Sequence, residues 1–105
     1  MNEIEITLTD DDIDWGRRHG ELCPITLAAE RVIDGSISTE RTRLRRIYTD
    51  HESGERTIAE YELPDEAMLF IKMYDEGEEV EPFGFFISNP DEILWKDFIT
   101  NKLEG

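Results

Sequence analysis

Two proline–glycine brackets cut this chain into short pieces. Pro24 opens the run PITLAAERVID, which Gly35 closes, and Pro64 opens PDEAMLFIKMYDE, which Gly77 closes. Proline suits the first turn of a helix, where its missing N–H has no partner to lose, and glycine suits the residue just past the last turn. Ile25, Leu27, Ala28 and Val32 give the first run a mostly apolar face. Ala67, Phe70, Ile71 and Tyr74 fall at i, i+3, i+4 and i+7 in the second. Both runs are therefore expected as helices.

Around these brackets the apolar period changes to two. Ile4, Ile6 and Leu8 alternate with polar residues, the pattern of a half-buried strand. Thr9, with Asp12 three residues on, then predicts a short capped helix stopped by Gly16 or Gly20. Residues 41–49 (RTRLRRIYT) and 55–63 (ERTIAEYEL) read as two strands joined by the turn-rich DHESG. VEPFGFFIS, 80–88, places Phe83, Phe85 and Ile87 on one face of another strand. Asn89 and Pro90 then cap a last amphipathic helix, DEILWKDFITNKL. The expected order is β-α-α-β-β-α-β-α: a single small α+β domain, helices packed on a small, largely antiparallel sheet. Residues 1–88 form its core domain, and residues 89–105 a C-terminal helix docked on it.

The chain has 105 residues, with 26 acids against 11 bases for a formal net of −15. The charge is uneven. Residues 1–49 hold 10 acids and 7 bases, a net of −3, whereas residues 50–105 hold 16 and 4, a net of −12. Such a field repels nucleic acid and anionic membranes and favours basic partners. A single cysteine forms no internal disulfide, and the acidic, alternating start is the opposite of a secretory signal. The apolar runs fall far short of the ~18 residues of a membrane span. The cytoplasm is the expected compartment.

Three constellations bear on chemistry. Asp10, Asp12, Asp14 and Glu21 stand at positions 1, 3, 5 and 12 of a calcium loop, but its obligatory sixth-position glycine is Trp15 and its apolar eighth is Arg17. First-turn acids at a helix N-terminus explain these carboxylates better. His19, Glu21 and Cys23 suggest a zinc site or a nucleophile pair. The thiolates of a zinc deaminase are missing, and His51 is the only other imidazole. Cys23, ahead of Pro-Ile-x-Leu-Ala, reads as a buried residue at the entry of a core helix. Arg41, Arg43, Arg45 and Arg46 form a basic stripe, and Glu60 and Glu62 on the following strand can pair with it across the hairpin. No cofactor or metal is expected from these residues.

The candidate contact residues are the acidic run Asp75, Glu76, Glu78, Glu79 and Glu81, leading into Phe83, Phe85 and Phe86. Trp95, Phe98 and Ile99 of the last helix add more large apolar surface than a small domain easily buries. A face for a basic protein, or for a second copy of the chain, is expected there.

Asp12-Ile13, Gly16, CPITLA at 23–28, Leu63-Pro64 and VEPFGFFI at 80–87 together resemble a group of small uncharacterised bacteriophage and bacterial proteins. That group has a Cys-Pro-Ile/Val-Ala-Leu-Ala helix and a terminal Pro-Phe-x-Phe strand. The resemblance covers most of residues 4–87 and departs at Thr26, where Ala is usual, and in the tail after Ser88. It implies a phage-like origin and brings no catalytic residue. The function expected is a non-enzymatic acidic binding module acting on a host or viral nucleic-acid-binding protein, in the manner of DNA-mimic or anti-CRISPR inhibitors. The alternatives are a small enzyme or metal protein using Cys23 and His19, and a self-assembling structural protein.

Overall fold

The computed structural model describes residues 3–17 and 22–104. In chain order they form β1 (Ile4–Thr7), α1 (Asp10–Trp15), α2 (Pro24–Glu30), β2 (Ser36–Thr39), β3 (Arg43–Thr49), β4 (Arg56–Glu62), α3 (Asp65–Asp75), β5 (Gly84–Ile87), β6 (Asp91–Leu94) and α4 (Trp95–Glu104). The fold is α+β, and the eight expected elements occur in the expected order with β2 and β6 added. The strands divide into two antiparallel sheets, β1-β5 and β2-β3-β4-β6.

Alternation decides which residues enter the core. Ile6 and Leu8 from the β1 segment, Phe85 and Ile87 from β5, Ile37 from β2, Leu44 from β3, and Ala59 and Tyr61 from β4 share one cluster. Ile25, Ala28 and Ala29 of α2 and Ala67, Phe70 and Ile71 of α3 complete it. Ile58 is also fully buried, but it points from β4 to the other face of the sheet, opposite Ile47 and Ile93. There α4 covers it, packing on β4 and β6.

Two segments differ from the pattern in the sequence. The tail is expected to be helical from Asn89, yet Asp91–Leu94 pairs with Thr57–Glu60 of β4, and the helix begins only at Trp95. An unpaired β4 edge offers ladder hydrogen bonds that a four-residue helical turn does not, and Ile93 closes over Ile58. The first bracketed helix ends at Glu30, short of Gly35. Its last turn tightens through bonds from the Arg31 and Val32 N–H groups to the carbonyls of Ala28 and Ala29 (3.3 and 3.0 Å). That turn buries Ile33 and leaves Val32, expected on the apolar face, exposed.

The N-terminal elements are tied by one carboxylate. The Thr9 N–H donates to Asp12 Oδ2 (2.9 Å) while the Asp12 N–H donates to Thr9 Oγ1 (3.3 Å), the reciprocal capping box that Thr9 and Asp12 predict. Arg31 then donates to both oxygens of Asp12, Nη2 at 2.7 Å from Oδ2, and to the Thr7 carbonyl (2.9 Å). Asp12 is only 4% exposed. Gly16 lets α1 meet α2: a Cβ there would lie 2.6 Å from Pro24 Cγ and 2.8 Å from the Asp12 carbonyl oxygen.

Thr26 is buried with its hydroxyl 2.6 Å from that of Thr39. Thr39→Val strips the pair of one member and is expected to cost about 1–3 kcal/mol, while Thr26→Val/Thr39→Val costs less than the sum of its single variants. Chemical denaturation of the four proteins measures this.

Arg31→Met leaves the Asp12 carboxylate buried without its guanidinium, and about 1–3 kcal/mol of stability should be lost at pH 7. The Arg31 hydrogen bonds hold the pKa of Asp12 below its ordinary 3.8. The stability it contributes is therefore complete above that value and lost as pH falls through the lowered one. The gap between parent and variant in denaturant midpoint should narrow progressively below pH ~3.8.

Candidate protein-docking face

The apolar stripe that sends Ala67, Phe70 and Ile71 inward leaves a neighbouring stripe of α3 outside: Glu66, Leu69 and Met73, with Phe70 between them. Leu69 is 57% exposed. What makes this stripe a groove is the end of the helix. The N–H of Gly77 donates to the Tyr74 carbonyl (3.1 Å) and that of Glu78 to the Met73 carbonyl (2.9 Å). This is the paired closure of a helix by a left-handed residue, and Gly77, at φ 78°, supplies it without steric cost. The chain then folds back, and residues 79–83 run beside α3.

Phe83 anchors the returning segment. Its carbonyl accepts the Leu8 N–H (2.8 Å), and its ring lies 5.2 Å from Phe70 and 5.6 Å from Phe85. Phe70 in turn stacks on Tyr74 at 5.9 Å. Between α3 and this segment lies a groove of about 440 Å³, floored by Leu69, Phe70, Met73, Val80 and Phe83 and rimmed by Glu66, Glu79 and Glu81. Among the described residues no Lys or Arg lines it. Carboxylates in such a position repel one another and attract cations more strongly than a mixed surface does.

The expected acidic run is divided by the fold. Glu79 and Glu81 stand on the groove rim and Glu78 on the turn. Asp75 and Glu76 border a separate depression of about 310 Å³, shared with the cations Arg41 and Lys72 over Met68 and Ile71. Trp95 and Phe98 lie elsewhere. They are half-buried on the Ile58 face of the four-stranded sheet, where Arg56 stacks on Trp95 (5.2 Å) and Arg45 on Phe98 (5.6 Å). The acids and these aromatics do not share a surface. Sequence reasoning missed Glu66, Leu69 and Met73. Their i, i+3, i+7 spacing was readable, but only the folded-back segment gives it meaning.

The other candidates are accounted for locally. Cys23 caps α2 and is 7% exposed, and burial pushes its thiol pKa up. It is poorly placed to act as a thiolate. His19 and Glu21 lie outside the described residues. Both oxygens of Asp12 already accept protein hydrogen bonds, so the calcium-loop spacing is used for capping. Among the described residues no three His, Cys, Asp or Glu side chains are grouped to hold a metal ion. Arg43 and Arg45 lie 3.6 and 3.2 Å from Glu60, and Arg46 donates to the Asp34 carbonyl (2.6 Å) while stacking on Tyr48. The basic stripe is thus largely engaged within the hairpin and its surroundings. No helix among the described residues is long and apolar enough to cross a membrane.

No family model matches this chain, and no curated protein or solved structure matches it either.

A buried thiol with a raised pKa should react slowly. Labelling of native protein by a thiol reagent at pH 7 is expected to follow unfolding, speeding up by at least about tenfold in denaturant, and Cys23→Ser should cost about 1–3 kcal/mol. Rapid stoichiometric labelling of the native state contradicts this assignment.

Proposed function

We propose that this protein is a non-enzymatic acidic binding module whose partner is a protein with a basic surface. One observation carries the reading: an apolar groove whose rim holds Glu66, Glu79 and Glu81 and whose lining, among the described residues, has no cation, on the half of the chain with a net charge of −12. Exposed carboxylates alone serve solubility. Carboxylates around exposed apolar side chains combine long-range steering with short-range burial, the two ingredients of a protein interface. In its sharpest form the module is an inhibitor that occupies the nucleic-acid-binding surface of a host or viral protein, acting in the host cytoplasm. The charge supports that form, and the likeness to phage proteins around Cys23–Ala28 and Val80–Ile87 supports the origin. The burial of Cys23 weighs against the reading as a thiol enzyme.

The test begins with affinity capture from the natural host and proceeds with the purified captured protein. Reversal of the rim residues Glu66, Glu79 and Glu81 to Lys is expected to slow association by about tenfold or more at low salt. The parent rate should fall steeply with added salt, and duplex nucleic acid should compete. Single reversals should each change affinity little, because an exposed charge contact contributes only ~0–1 kcal/mol. Association of this rim-reversed variant at the parental rate in low salt overturns the proposal.

A further inference from the structure

We infer that the groove between α3 and residues 79–83 receives the apolar face of a basic amphipathic helix of the partner. This rests on the protein-binding reading above and adds the shape of the ligand to it. The α3 side of the groove is linear: from Glu66 to Met73 the stripe runs seven residues along α3, roughly 10 Å at 1.5 Å per residue, so two turns of a partner helix lie along it. One wall is itself a helix, whose backbone groups are bonded within it, so it offers no ladder edge to an added strand. Side-chain ridges are the surface it presents. Leu69 supplies the ridge at 57% exposure, and Phe83 of the returning segment lines the same groove.

Charge selects the occupant. Carboxylates stand on both walls, Glu66 on α3 and Glu79 and Glu81 on the returning segment. A helix with an apolar stripe therefore seats best when its flanking positions carry Lys or Arg. A second copy of the chain is disfavoured in this position, since its own α3 would bring the same carboxylates against these in a molecule of net charge −15.

The probe is a Leu/Lys peptide of about 18 residues, long enough to fold on contact, with Leu at i, i+3, i+4 and i+7. A second peptide of the same composition with the Leu positions scattered is the control. Titrated into the full chain at moderate salt, the amphipathic peptide is expected to bind one to one, at least about tenfold tighter than the control, a difference of ~1.4 kcal/mol. Leu69→Ser, an exposed change whose melting temperature confirms the fold, should abolish that preference, and Leu103→Ser on α4 should leave it. Glu79→Lys/Glu81→Lys should weaken both peptides. Equal binding of the two peptides, or an undiminished preference in Leu69→Ser, overturns the groove inference. If that binding is also salt-sensitive, the acidic-field reading survives. If neither peptide binds at low salt, both fail.

Discussion

The carboxylate of Asp12 is the point on which the N-terminal half of the molecule is assembled. It is the only buried charged side chain among the described residues, and it holds three elements at once. It caps α1 through the Thr9 N–H, binds Arg31 at the end of α2, and through Arg31 reaches the Thr7 carbonyl at the end of β1. A buried charge is costly unless its acceptor positions are filled by donors with good geometry, and here they are. α1 is six residues long and has little intrinsic stability; it persists because its first turn is fixed to a neighbouring helix. The Gly16–Pro24 approach depends on the same placement, since α1 must lie against the start of α2 for its C-cap to touch the proline.

The four-stranded sheet is sandwiched unequally. On one face Leu44, Ala59 and Tyr61 join the main core, and on the other Ile58 anchors a thinner layer with Ile47, Ile93 and α4. That second layer mixes apolar and charged groups. Arg45 lies between the Glu60 carboxylate and the Phe98 ring, and Arg56 lies over Trp95. Arginine tolerates this position because its planar guanidinium stacks on a ring while still meeting a carboxylate. The aromatic surplus of the tail therefore has partners inside the chain.

Elements whose signals were local were legible in the sequence. The capping box at Thr9 and Asp12, the α3 stripe and the β3-β4 hairpin, with its arginines paired to Glu60, follow from local spacing, and the structure adds the register that sets Arg45 opposite Glu60. What was not legible depended on contacts between distant segments. Asp91–Leu94 carries a helix-start signal in Asn89 and Pro90, and the open edge of β4 decides otherwise. Ser36–Thr39 is a strand because β3 pairs with it, for one isoleucine among hydroxyl side chains has almost no pattern of its own. The candidate site divides in the same way. Glu79 and Glu81 stood out by composition, whereas Glu66, Leu69 and Met73 acquire a role only when residues 79–83 return along α3. The separation of Trp95 and Phe98 from the acids follows from which face of β4 they cover, a matter of parity that no charge count contains.

The aromatic series Tyr74–Phe70–Phe83–Phe85 runs from the end of α3, beneath the groove, into the two-stranded sheet. Its rings are held at both ends, by the helix and by the β1-β5 ladder, so the groove floor is a continuation of the packed interior. A surface of this kind arrives preorganised. The Phe70 and Phe83 rings of that floor have little freedom left for an encounter to remove, so the entropic penalty would fall mainly on the other groove side chains and on the ligand. For a ligand of the kind proposed above, one that already holds its bound shape would have the advantage. Discrimination among such ligands would then reside in how fast they leave, since a floor that does not adjust retains a good fit longer than a near one.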